Sequence, residues 1–184
     1  IDHLNIIFQN FQSAYLLNTL DDISQIDAIK KEMIMKTNHD KISALMKAVL
    51  NNNISVITKI LDESVSLDQI SYSKDVLMQC DQKGNSPFSI ALSRGNKEIL
   101  AIIINAFKDN KSEFLEIIKH QNNKGSSALF DESNIGRHKN IAMIISLLTE
   151  SGFTKDQLKE IIILSQNSFS DNPFLISIHR YHHQ

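Results

Sequence analysis

The sequence predicts an all-α helical repeat solenoid. Three observations carry that prediction: a helix-start phrase that occurs four times, a capping pattern that returns between the phrases, and 42% apolar content with only two Pro and five Gly. A unit made of a turn, a short helix and a second apolar helix cannot bury its own apolar face. Copies of it must stack.

The phrases are Ser43-Ala44-Leu45, Ser86-Pro87-Phe88, Ser127-Ala128-Leu129 and Asn172-Pro173-Phe174, spaced by 43, 41 and 45 residues. Each is a polar residue, then Pro or Ala, then a large apolar residue. Ser or Asn accepts a hydrogen bond from a free amide of the first turn, and Pro at the first helical position sacrifices no bond. Five residues earlier stand Asn38, Asp81, Asn122 and Asn167, which close turns with their own side chains. Gly84 and Gly125, two residues before their anchors, point to a positive φ. Lys41 and Ser170 fill that slot in the outer copies.

This pattern resembles the ankyrin repeat. The second copy matches best, through Asp81, Gly84, Ser86, Pro87, Phe88, Ala91, Gly95, Ile99, Leu100, Ile103 and Ile104. The first keeps Ser43, Ala44, Leu45, Ala48, Val49, Val56, Ile57, Ile60 and Leu61, with Asn52 where Gly is usual. The third keeps Gly125, Ser127, Ala128 and Leu129, then Met143, Ile144, Leu147 and Leu148. Between them, Phe130 to Arg137 lacks the small Ala pair and reads as if it carried about three extra residues. A distorted first helix is expected there. The fourth copy shows only its opening, Asn167 through Arg180. The resemblance spans residues 38–184.

The intervals exceed the roughly 33 residues of an ordinary ankyrin unit. Ser66-Leu-Asp-Gln69, Asn110-Lys-Ser-Glu113 and Thr154-Lys-Asp-Gln157 each read as a capping box, 44 residues apart, and an apolar run follows each. The excess is therefore a third short helix per repeat. Elongated units of this kind resemble those of secreted effector proteins of intracellular bacteria.

Residues 1–36 do not fit the repeat. Leu4, Ile7, Phe8, Phe11, Tyr15 and Leu16 have helical spacing, Asp21-Asp22 offers a cap, and Ile23, Ile26, Ile29, Met33 and Ile34 continue a second helix. The expected organisation is an N-terminal helical hairpin cap over 1–36, then about three and a half ankyrin-like repeats at 37–79, 80–120, 121–165 and a partial 166–184. Within each repeat, Ala48, Ala91 and Ser177 are read as small residues where backbones approach closely.

A net charge of −2, with scattered Lys and Arg, argues against nucleic acid as the partner. The single Cys excludes an internal disulfide and fits a reducing, intracellular compartment. The effector resemblance extends this to delivery into a host cytosol. The longest apolar run, around Ile99 to Phe107, is broken by Asn105 and far below membrane-spanning length, so no membrane insertion is expected. The chain does not begin with Met and is expected to be a fragment of a longer protein.

Little here reads as catalysis. Cys80 and His120 occupy similar places one repeat apart. On the spacing that the ankyrin resemblance implies they stand roughly 10 Å from each other, too far for proton transfer. His179, His182 and His183 cluster at helical spacing, but no Cys or later carboxylate completes a metal site. Asp21-Asp22 and Asp62-Glu63 read as caps and solvated charge. Asp131-Glu132 is exceptional in replacing small residues of an inner helix. No Gly-rich phosphate loop or Ser-His-Asp order is present. The expectation is a non-enzyme without cofactor or metal.

What the resemblance implies is protein binding by a monomer, through the turn tips and the exposed side of the first helix. Mapped onto this chain, that face is His39, Asp40, Ile42, Leu50 and Asn51; then Gln82, Lys83, Asn85, Ser93 and Arg94; then Asn123, Lys124, Ser126 and Asp131; then Phe169 and Arg180, with Ser168, Asp171 and His179 beside them. The alternative is that this array recruits substrate for a longer enzyme whose catalytic domain lies outside it.

Overall fold

A computed structural model describes residues 23–66 and 70–164. The chain divides into two compact units, residues 1–33 and 34–184. Of the first unit, only the helix α1 (Ile23–Met35) is described, and it ends inside the second unit. The expected helix over 3–20, the Asp21-Asp22 cap, residues 67–69 of the first capping box, and the fourth copy lie outside the described residues.

Three repeats follow, each with three helices. The first holds α2 (Ala44–Leu50), α3 (Ile54–Ser66) and α4 (Ile70–Met78). The second holds α5 (Pro87–Ser93), α6 (Lys97–Ala106) and α7 (Lys111–Lys119). The third holds α8 (Ala128–Ile135), α9 (His138–Glu150) and α10 (Lys155–Leu164). Like packs on like. α5 lies between α2 and α8, α6 between α3 and α9, and α7 between α4 and α10. The array is thus three parallel stacks of inner, outer and third helices. Among the described residues, β-structure is confined to two isolated bridges, Thr37 with Ser43 and Gln121 with Ser127, which pinch the bases of two turns.

The helix starts follow from the sequence. Ser43, Ser86 and Ser127 are buried, and their hydroxyls accept from the amides of Met46, Ser89 and Phe130 at 3.3, 3.2 and 3.2 Å. Pro87 opens α5. The turns before them are also alike. Asn38 Oδ1 accepts from the amides of Asp40 and Ile42, Asp81 Oδ1 from those of Lys83 and Asn85, and Asn122 Oδ1 from those of Lys124 and Ser126. Lys41, Gly84 and Gly125 all take left-handed φ, at 58°, 79° and 70°. The Lys41 turn is therefore the same turn as the other two, at the expense of a side chain in a region that disfavours one.

Leu45, Phe88 and Leu129 are buried at equivalent places, which is the central requirement of a repeat stack. The outer helices bury Ile60, Ile103 and Ile144 in the same register. The third helices add their own apolar layer. Phe114 on α7 packs edge-on against Phe88 (5.7 Å between centroids) and Phe153 (5.8 Å), and tilted against Phe107 (5.9 Å). One aromatic hub thus joins the inner helix, the outer helix and the next repeat, which accounts for the extra length of the units.

Two expectations need correction. The third inner helix is neither distorted nor lengthened by three residues. Ser127 stands nine residues before Gly136, as Ser86 before Gly95 and Ser43 before Asn52, and all three end positions have left-handed φ. The outer helices differ in length instead: α9 has 13 residues, as α3 does, against 10 in α6. The second correction concerns the capping boxes. Thr154 and Gln157 form theirs in both directions, at 2.9 and 3.2 Å. The Asn110 side chain accepts from no backbone amide of its helix. Its Oδ1 is taken instead by the Ser112 hydroxyl at 2.9 Å.

Candidate partner-binding face

The inner stack presents one side chain row to solvent. Counting from each anchor serine, positions four and eight fall on one helix face. They are Lys47 and Asn51 on α2, Ile90 and Arg94 on α5, and Asp131 and Ile135 on α8. Lys47, Asn51, Arg94 and Ile135 are exposed, and Ile135 is 61% exposed despite being a large aliphatic. Leu50 is half-buried, whereas Ser93 and Asn134 beside it are exposed. The turn tips carry exposed His39, Asp40, Lys41, Gln82, Lys83, Asn123 and Lys124.

Several residues expected on this face are committed to the fold. Gln82 Nε2 donates to the His39 carbonyl (3.2 Å), and Asn123 Nδ2 donates to the Gln82 carbonyl (2.8 Å), so the same position ties each tip to the one before. The Asn123 amide also donates to the Lys83 carbonyl (3.0 Å). Asn85 Nδ2 donates to Asp81 Oδ2. Asp131 Oδ2 accepts from Asn122 Nδ2 at 2.8 Å, and burial holds its carboxyl above the usual range, against the lowering effect of Asn122, Ser126 and Lys124. Ile42 and Ser126 are half-buried and supply backbone groups to their turns. The side chains left facing outward are Asn51, Lys83, Ser93, Arg94 and Lys124, with His39 and Asp40 loosely paired at 3.9 Å. Phe169 and Arg180 lie outside the described residues, as do Ser168, Asp171, His179 and the His179-His182-His183 cluster.

Lys47, Ile90, Asn134 and Ile135 were missed. The sequence held the signal: the nine-residue step from Ser127 to Gly136 aligns Ile135 with Arg94 without any gap.

Glu132 stands where the other inner helices have Ala48 and Ala91, and it is buried. It does not belong to the exposed face. Its Oε2 accepts from Asn140 Nδ2 at 2.6 Å, and its Oε1 faces Arg137 at 3.4 Å. Asn140 and Arg137 in turn donate to the carbonyls of Leu92 (3.0 Å) and Ser93 (2.9 Å) in the last turn of α5. A buried carboxylate thus aims two donors at the preceding repeat. Burial pushes its pKa up, opposed by the bonds from Asn140 and Arg137.

Cys80 and His120 are not one repeat spacing apart. Cys80 Sγ lies 3.1 Å from His120 Nε2, because the imidazole reaches back along the stack to the Gly84 carbonyl, 3.0 Å from the same nitrogen. The thiol donates to the Met78 carbonyl at 3.2 Å. Nε2–H thus donates to the Gly84 carbonyl and points towards the sulfur. Burial, and then the charge of Asp81, pushes the thiol pKa up. This arrangement disfavours the thiolate, the opposite of what nucleophilic catalysis needs. Among the described residues, no group of three or more His, Cys, Asp or Glu could hold a metal ion. No described helix is long and apolar enough to cross a membrane.

Turns, helix starts, left-handed stops and three stacks of equivalent helices are now all in place. The fold is an ankyrin-like helical repeat array. No family model matches the chain, and no curated protein matches it. A crystal structure of an ankyrin repeat protein, EF0377, is similar over 88% of this chain and 88% of its own, with 16% sequence identity and a TM-score of 0.39. The ankyrin-like array differs from a minimal unit in its third helices, α4, α7 and α10, which form a stack of their own.

Proposed function

We propose that the chain is a protein-interaction module that holds a partner protein across its turn tips and inner-helix row. The supporting observation is the division of labour along the stack. Turn backbone, helix ends and the Gln82–Asn123 tip ladder satisfy one another internally. Equivalent positions on consecutive inner helices (Asn51, Arg94, Ile135) remain exposed in register. A rigid row of that kind, mixing Arg with amides and aliphatics, has the composition of a binding surface. The hydrogen-bonded Cys80–His120 pair, with its thiol pKa raised by burial, gives no support to an enzyme reading.

A photo-crosslinking amino acid placed at Ser93 tests this against one placed at the outward-facing Lys108. The expected result is capture of the same partner from native-cell extract at Ser93 alone, lost in the Lys83→Ala/Arg94→Ala double variant at unchanged melting temperature. Equal capture from Lys108, or full binding by the double variant, removes the face from consideration.

A further inference from the structure

We infer that the partner segment received by this face is acidic, with aliphatic side chains among its carboxylates. The inference rests on the binding-face reading above and concerns its charge. The chain as a whole is slightly acidic, at −2. The face is not. Lys41, Lys47, Lys83 and Arg94 are exposed along it and have no ion-pair partner among the described residues. Lys124 continues the tip row beside them.

The face's own carboxylates are mostly drawn back from its surface. Asp81 and Asp131 are half-buried, and their oxygens are occupied by turn amides and by Asn85 and Asn122. Glu132 is buried and paired with Arg137. Asp40, beside His39, is the exposed acid of the tips.

The third-helix stack on another side of the array is built the opposite way. There Lys74 of α4 pairs with Glu116 of α7, and Lys119 of α7 pairs with Glu160 of α10, repeat after repeat. Two lysines of the third helices thus meet carboxylates across the repeat boundary, whereas Lys41, Lys47, Lys83 and Arg94 of the tips and inner helices meet none among the described residues. Unpaired cations lined up on a rigid scaffold raise the local potential and steer acidic partners. Half-buried Ile90 and Leu50, with exposed Ile135, lie between them and suit aliphatic groups of the same segment.

The test is a random-peptide phage selection on the full chain, counter-selected on a Lys47→Glu/Lys83→Glu/Arg94→Glu variant whose fold is checked by circular dichroism. A Lys83→Gln/Arg94→Gln variant stands in if charge reversal prevents folding. Binders that depend on the face are expected to be enriched in Asp and Glu. A synthetic peptide of that sequence is expected to lose about tenfold or more in affinity on the variant and to weaken as ionic strength rises. Face-dependent binders that are neutral or basic overturn the charge inference and leave the binding face standing. Absence of any face-dependent binder overturns both. A mixed-sequence oligonucleotide that binds the face while acidic peptides do no better than basic ones also overturns it.

Discussion

Cys80 Sγ lies 3.1 Å from His120 Nε2, and the same nitrogen lies 3.0 Å from the Gly84 carbonyl. The start and the end of the second repeat are joined by a thiol–imidazole–carbonyl chain. Because burial and Asp81 both raise the thiol pKa, Cys80 should react slowly with disulfide reagents at neutral pH. The expected result is native labelling well below that of the urea-unfolded chain at the same pH. Equal rates would show that the thiol is not protected. His120→Ala removes a part-buried bond and should lower stability by about 1 kcal/mol in denaturant titration.

Gly84 faces the next turn without clearance. A Cβ there would lie 2.5 Å from the Asn123 amide nitrogen, and φ is already left-handed at 79°. Gly84→Ala should therefore cost more than the roughly 1–2 kcal/mol of the left-handed backbone alone. Lys41 holds the equivalent place with a φ of 58°, so Lys41→Gly should be neutral or stabilising by up to about 1 kcal/mol. Thermal melts of the two variants should move in opposite directions or, at the least, differ widely.

Glu132 gives the array an unusual pH dependence. Its folded pKa lies above the ordinary 4.5, so the native state binds more protons than the unfolded chain just above that value. Stability from this group is thus present at low pH and falls as pH rises from about 4.5 through the raised value. Asp131 shifts in the same direction. In Glu132→Gln this downward slope should flatten while the bond to Asn140 is kept. Melting temperatures of wild type and variant across that window decide it, and identical slopes would contradict the assignment.

Core and face should separate cleanly by mutation. Ile103 is fully buried between repeats, and Ile103→Ala should cost about 2–5 kcal/mol through the cavity it leaves. Arg94 is exposed and has no ion-pair partner among the described residues, and Arg94→Ala should stay within about 0.5 kcal/mol of wild type. Urea unfolding of both variants provides the comparison.

The reciprocal Thr154–Gln157 capping box starts α10 in the last described repeat. Thr154→Ala should lower stability by about 0.5–2 kcal/mol. Asn110→Ala should do less, because the Asn110 side chain caps no backbone amide of α7. Equal losses at the two sites would mean that the caps work alike in solution.

The sequence by itself determined the all-α stack, its repeat register, the turn and stop positions and the third helix of each unit. These depend on short-range chemistry: a serine accepting from an amide three residues on, an Asx side chain closing its own turn, a left-handed residue ending a helix. Such rules operate within a few residues and leave a periodic trace. Only the tertiary structure decided which polar side chains remain available. Gln82, Asn123 and Asp131 look free in a linear reading, yet each bonds to a neighbouring turn or repeat. Cys80 and His120 meet because an imidazole spans the gap between layers, a length that register alone does not convey. Glu132 is buried at an alanine position because Arg137, Asn140 and the end of α5 surround it. Contacts between layers couple residues about forty positions apart, and their geometry is fixed by packing, not by any local pattern.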